Sequence, residues 1–421
     1  MNQEKQIYFP SIEDIKKAAE TIKNVSSVTP LSPSLRFSKT YQSNVFFKRE
    51  DLQQVRSYKI RGAYNKISTL TTTESKNGVV CASAGNHAQG VALSCKLLKI
   101  RGTIFMPMPT PKQKVAQVKM FGEGYIEIKL EGDTFDDAFE AAKFECEELN
   151  KVFIHPFNDE KVIEGQATVG LEILEQFEKP IDYVFIPVGG GGLASGLSTI
   201  FKALSPNTKI IGVEPAGAPS MSMSIKNNMN TQIEDIEKFI DGAAVKRVGD
   251  LNFSICKQNL DEMITIPEGK VCQTILDLYN RDAIVVEPAG ALSITALDFY
   301  KEDIKGKNVI CVISGSNNDI TRTAEIKERA LLFANLKHYF IVKFPQRAGA
   351  LKEFVVDILG PNDDITHFEY VKKTNRENGS AVVGIELKSA DDLEPLMNRM
   401  KTQNFYGDYL NNKPNLFQFL V

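Results

Sequence analysis

Four consecutive glycines have the strongest claim to chemistry in this chain. Pro187-Val188-Gly189-Gly190-Gly191-Gly192-Leu193 directly follows the apolar run Tyr183-Val184-Phe185-Ile186 and opens an amphipathic stretch. Glycine lets the backbone approach an anion closely, and a helix N-terminus adds free N–H groups and partial positive charge. The segment reads as a phosphate site; the bland alternative is a tight turn that needs one residue at positive φ. The pattern Gly189-x-Gly191-x-x-Ala194 also satisfies the loose dinucleotide fingerprint, and Glu214 follows where a ribose-binding acid would stand. A nicotinamide-dependent dehydrogenase therefore stays open on this motif alone.

Three other segments add to it. Ser57-Tyr58-Lys59-Ile60-Arg61-Gly62-Ala63 carries a lysine, a residue type that is usually solvated. Ser83-Ala84-Gly85-Asn86-His87 sits between an apolar strand and an amphipathic helix, a second anion-friendly helix start or a plain N-cap. Ser314-Gly315-Ser316-Asn317 ends the strand Val309–Ile313. Such a position faces a ligand at the carboxyl end of a sheet, or is a polar turn.

The elements that must position these residues alternate. Val79-Val80-Cys81-Ala82 reads as a buried strand, and Ala88, Val91, Ala92, Cys95 and Leu98 then form one helix face. Thr103–Met106, Val152–Ile154, Tyr183–Ile186, Ile210–Val213 and Val309–Ile313 continue the series of strands, with helices between them near 133–149 and 164–177. Continuous apolar strands alternating with helices predict an α/β fold with mainly parallel sheets. After residue 330 the order changes to βαββαβ: strand His338–Phe344, helix Gly349–Leu359, strands Phe368–Lys373 and Ala381–Leu387, helix Ala390–Thr402 and a last strand Leu416–Val421. That predicts a separate ferredoxin-like unit at 335–421. Its boundary falls in the polar helix Thr321–Leu336.

Composition bounds the partners. With 421 residues, 50 Lys+Arg against 53 Asp+Glu and a net charge of -3, the chain has no basic surplus for nucleic acid. It has no run of about 18 apolar residues for a membrane helix, and its charged start lacks a secretory h-region. A cytoplasmic enzyme is expected. The six cysteines form no CxxC pair, and the four histidines have no metal-ligand spacing, so buried thiols and no zinc are expected.

Together the four segments resemble the pyridoxal-phosphate β-family (fold type II), two α/β subdomains with the cofactor between them. Lys48-Arg49-Glu50-Asp51-Leu52, Asp241-Gly242-Ala243 and Glu287-Pro288-Ala289-Gly290 match further family segments. The resemblance covers residues 10–330, with a small subdomain at 48–155 inserted in a catalytic domain at 1–330. With the C-terminal unit, taken as an ACT-like regulatory domain, the whole chain is similar to the biosynthetic threonine dehydratases. The resemblance implies pyridoxal 5'-phosphate as cofactor, held covalently by Lys59, which later takes the Cα proton. It implies that Gly189, Gly190, Gly191, Gly192 and Leu193 bind the phosphate, that Asn86 bonds the ring hydroxyl and that Tyr58 lies near the ring. Ser314 would face the pyridine nitrogen with a neutral hydroxyl, which tempers the electron sink and suits elimination. Ser83, Ala84, Gly85 and His87 would cradle the carboxylate of L-threonine, and the cofactor phosphate would protonate the departing hydroxide.

Several finer expectations follow from the same resemblance. Racemases of the family carry a second serine where Ala84 stands, so this chain should eliminate and not racemise. Glu214 and Ala218 fit the family's divalent-metal site but Ser220 does not, so no metal is expected. Ala167 replaces a usual glycine in Gln166-Ala167-Thr168, and His155-Pro156-Phe157 shows His where Asp is common. Both read as local structural variants. The turn Pro345–Leu351 is the expected effector site, for isoleucine as inhibitor with valine opposing it; a purely dimerising domain is the alternative. A homotetramer is expected. A serine dehydratase or racemase of the same family, and a non-catalytic amino-acid sensor on the same scaffold, remain rival readings.

Overall fold

The computed structural model describes residues 8–370 and 378–420. The chain divides into two units, one up to Asp319 and one from Ile320 onward.

Among the described residues, ten strands build the first unit: β1 (Leu31–Pro33), β2 (Asn44–Arg49), β3 (Val79–Ala82), β4 (Gly102–Met106), β5 (Ile126–Leu130), β6 (Val152–Phe153), β7 (Tyr183–Pro187), β8 (Lys209–Pro215), β9 (Glu262–Ile266) and β10 (Asn308–Ile313). They form two sheets. The larger has the order β1-β2-β10-β7-β8-β9 and the smaller β5-β4-β3-β6. All pairings are parallel except β1 with β2. Strands β3, β4 and β7 are buried along their whole length, as sheets covered by helices on both faces require. The expected α/β fold with mainly parallel sheets is what this unit has.

Strand order places the chemistry. In the larger sheet β8 and β9 lie on one side of β7, and β10 lies on the other. In the smaller sheet β4 lies on one side of β3 and β6 on the other. At such switch points the connections leave in opposite directions and open a crevice at the carboxyl ends of the strands. The segments after β3, β7 and β10 are Ser83–His87, Val188–Leu193 and Ser314–Asn317.

Helix Lys59–Ser68, which starts at Lys59, is locked from below. Arg61 is fully buried and donates to Glu50 and Glu172 at 2.7–2.9 Å, and to Thr168 Oγ1 at 3.1 Å. Lys48, also fully buried, donates to Glu172 at 2.5 Å and to the Thr29 carbonyl at 2.7 Å. Two cations and two carboxylates balance, so each buried charge has a partner. Losing one would leave an uncompensated charge at a cost of about 3–5 kcal/mol.

The second unit has strands β11 (Lys337–Pro345), β12 (Asp364–Tyr370), β13 (Asn378–Glu386) and β14 (Tyr406–Tyr409), ordered β12-β13-β11-β14 and antiparallel throughout. The expected strand at 368–373 is found from Asp364 to Tyr370; residues 371–373 lie outside those described. The expected last strand Leu416–Val421 is a correction. Pro414–Leu420 is a helix, and the fourth strand is Tyr406–Tyr409. Pro414 at the first helical position has its φ preset for a helix and no N–H for a ladder. Tyr406-Gly407-Asp408-Tyr409 reads poorly as a strand because Gly and Asp are depleted there. Yet Gly407 is needed: a Cβ would collide with the Ile341 carbonyl where the register with β11 shifts.

Candidate active site

Lys59, Tyr58, Asn86, Gly189 and Ser314 line one cavity, together with Pro187, Gly242, Ala243, Glu287 and Ala289. Residues from six separated segments therefore converge. The segment ahead of Lys59 is stitched to the end of β10: Tyr58 N donates to Ser314 O at 3.2 Å and Ser316 N to Arg56 O at 2.9 Å. This brings Ser314 to the lysine. The Lys59 amine donates to the Pro156 carbonyl at 2.8 Å and stands 5.3 Å from the centre of the Tyr58 ring. Burial pulls its pKa down to about 8, with the Glu287 charge opposing. About a tenth of the amine is then unprotonated at pH 7, far more than for an ordinary lysine, as a nucleophile or base needs.

The glycine loop is packed as well as open. Gly191 has φ +92 and caps helix Gly192–Leu204; Gly192 is its first residue. A Cβ on Gly190 would lie inside the Phe157 ring, and one on Gly189 would meet Ala243 Cα at 2.9 Å. The helix's first N–H groups have no intrahelical acceptor. Among the described residues no backbone acceptor takes the N–H of Gly189 or Gly190 either. The Leu193 side chain is in the hydrophobic core, so only its backbone can meet a ligand.

The second helix start differs. Gly85 caps helix Asn86–Leu98, Ser83 Oγ accepts from Gly85 N at 3.3 Å, and the space where a Gly85 Cβ would sit is open. Ser83, Ala84, Gly85 and His87 do not line the cavity that holds Lys59. The His87 side chain is buried and bonds the Ile154 carbonyl at 2.8 Å; burial pulls its pKa to about 3.

Glu287 is the residue the sequence reading passed over as a site group. It is buried beside the cavity and accepts from Asn86 Nδ2 at 2.7 Å and Asn317 N at 3.2 Å. Asn317 Nδ2 donates to Asn86 Oδ1 at 2.6 Å, so the Asn86 amide is held at both ends. Burial, reinforced by the Asp241 charge, pushes the Glu287 carboxyl up to about 7. The signal was present in Glu287-Pro288-Ala289-Gly290, where an acid before Pro reads simply as a helix start.

Glu214 argues against a dinucleotide. Its buried carboxylate accepts from Met221 N at 2.7 Å and from the Ser222 N and Oγ at 2.9 and 2.8 Å. It caps the next helix and has no oxygen turned to a ribose.

Residues 22–315 match the family model for pyridoxal-phosphate dependent enzymes, and residues 328–420 that for the C-terminal regulatory domain of threonine dehydratase. The biosynthetic L-threonine dehydratase of Halalkalibacterium halodurans is 55% identical over 97% of this chain and 99% of its own. This chain belongs to the biosynthetic threonine dehydratase family. The Bacillus subtilis dehydratase of the same description is 54% identical over 97% of each chain. Among solved structures, the processed threonine deaminase isoform 2 of Solanum lycopersicum is similar with a TM-score of 0.72, 38% identity and 76% of this chain covered (95% of that one). Maize serine racemase follows with a TM-score of 0.71 and 31% identity, covering 77% of this chain and 98% of that one. The dehydratase family has fold type II and pyridoxal 5'-phosphate as its cofactor, and the C-terminal unit of this chain is a regulatory domain. The residues present fit that cofactor: a buried amine, the Gly189 end of the glycine loop and a two-ended amide share one cavity, while Gly190, Gly191, Gly192 and Leu193 do not line it. No described helix is long and apolar enough to cross a membrane.

Proposed function

We propose that this protein deaminates L-threonine to 2-oxobutanoate and ammonia, and that the cavity around Lys59 does it. The observation that carries the reading is the buried Lys59 amine, lowered to about 8, in one cavity with Asn86, Gly189 and Ser314. Bound pyridoxal phosphate supplies the electron sink for the pair left behind by the Cα proton. Lys59 holds the cofactor and takes that proton at Nζ. The N–H groups of Gly189–Leu193 bind the phosphate. Asn86, fixed by Glu287 and Asn317, presents its amide to the ring hydroxyl, and Ser314 presents a neutral hydroxyl to the ring nitrogen. The helix start at Ser83–His87 binds the substrate carboxylate through backbone N–H groups, in the open space above Gly85.

Ala84 carries no proton donor, so elimination is favoured over racemisation. The C-terminal unit answers an amino-acid effector, isoleucine inhibiting and valine opposing, through a coupling of about 1–3 kcal/mol. The enzyme works in the cytoplasm as a homotetramer. Ammonia release from L-threonine and L-serine, with and without millimolar isoleucine, tests the reading. Threonine should be favoured by about 10-fold or more, since its methyl group adds apolar contact, and isoleucine should shift the threonine saturation curve. No ammonia from threonine would overturn the catalytic reading. An unmoved curve would overturn the effector reading.

A further inference from the structure

We propose that His155 is a positioning residue, whose neutral Nδ1 pins the loop 155–158 that holds the Lys59 amine and supports the glycine loop. This rests on the reading of Lys59 and the glycine loop given above. The Nδ1 atom accepts from Phe157 N at 3.2 Å and from Asn158 N at 2.9 Å. These are the N–H groups two and three residues ahead, the pair that an Asp side chain takes in an Asx turn. An imidazole here does the work of a carboxylate acceptor.

The loop it pins reaches three parts of the site. The Pro156 carbonyl accepts from Lys59 Nζ at 2.8 Å. Phe157 fills the space beside Gly190 and Gly192 that Cβ atoms would need. Asn158 Oδ1 accepts from Leu251 N at 3.1 Å, which ties the loop to helix Asp250–Asn259. The His155 ring is itself held by aromatic edges: Phe157 at 4.6 Å between centroids, Phe153 at 6.1 Å and Phe139 at 6.3 Å. Two N–H groups already share its Nδ1 lone pair, so it has none left there to act as a base toward substrate.

Protonation would place an N–H against two N–H donors and release the loop. Burial pulls His155 down to about 4; the charged groups facing it are Asp159, which raises it, and Lys59 and Lys143, which lower it, with His87 also nearby. The acceptor form therefore prevails at working pH.

The test uses the full-length holoenzyme and the variants H155L, H155N and H155D. Three quantities are read: amide exchange across residues 153–160, pyridoxal-phosphate affinity, and kcat and KM for threonine. The acceptor variants H155N and H155D should hold the cofactor within about threefold of the parent, as Asn and Asp serve equally in local turns. In H155L the loop amides should exchange faster, and cofactor affinity and kcat should fall about 10–100-fold from misplacement of the lysine. Below about pH 5 the parent should weaken relative to H155N, which does not titrate. Parent-like cofactor binding in H155L would overturn the proposal, and so would loss in both acceptor variants, folded or not. If H155L does not fold, tight cofactor in either acceptor variant upholds it. Borohydride trapping at Lys59 of the parent is run alongside: failure there strikes the Lys59 reading and leaves the loop-exchange result to stand by itself.

Discussion

Two loops of the catalytic unit carry glycine at a helix start, and they use it differently. At Gly189–Gly192 the directions a Cβ would take are filled by protein: Ala243, Phe157, and Asn252 with Met221. At Gly85 the same direction is open. A loop whose Cβ directions are all filled is a rigid cradle, suited to a group that stays bound. A loop with space above it suits a group that comes and goes. The contrast fits the proposed roles, the first loop for the cofactor phosphate and the second for the substrate carboxylate.

Both loops serve Lys59, so Lys59→Ala should have the largest effect. Turnover should fall by about 10⁴ or more with no covalent cofactor left to trap, because no other amine in the cavity can take its place. Near-normal turnover would break the scheme. Gly190→Ala comes next. Its Cβ has nowhere to go but the Phe157 ring, and overpacking of about 1–3 kcal/mol should appear mainly as weaker cofactor binding. Gly85→Ala should leave cofactor affinity unchanged and raise the KM for threonine by about tenfold, as the methyl enters the substrate's space. Equal effects of the two glycine variants on cofactor affinity would erase the distinction between the loops.

The smallest effect concerns Glu287. Its folded value of about 7 lies above the ordinary 4.5, so the fold favours the protonated acid. That stabilisation is full below about pH 4.5 and is lost as pH rises through 7. In apoprotein, Glu287→Gln, a mimic of the protonated form, should therefore raise stability at pH 8 by about 1–2 kcal/mol. The gap should close by pH 5. Thermal melts at the two pH values check it, and a gap that widened toward pH 5 would give Glu287 the opposite sign.

What could be read from the sequence followed how local the signal was. Strand Val79–Ala82 is apolar in every residue because both its faces are covered, and it was legible. Strand Ile126–Leu130 alternates polar and apolar residues at a sheet edge, a period-2 signal too short to stand out between two helices. The glycine run and the Lys59 segment are contiguous, so the resemblance they carry was plain. Glu287 reaches Asn86 across 201 residues of chain, and only the folded molecule shows that pairing. His155 was read as a structural variant without a reason; its two N–H partners supply one. Leu416–Val421 reads as a strand from its apolar residues, while the true fourth strand is disguised by the glycine its close approach to Ile341 requires.

The central claim is that the Lys59 amine holds the cofactor and drives the deamination. The most direct measurement is borohydride reduction of the holoenzyme, followed by peptide mapping and by residual ammonia release from threonine. The account expects the reduced cofactor on the peptide containing Lys59, with activity lost in proportion to that label. Label on a different lysine, or full activity after complete labelling of Lys59, would contradict it.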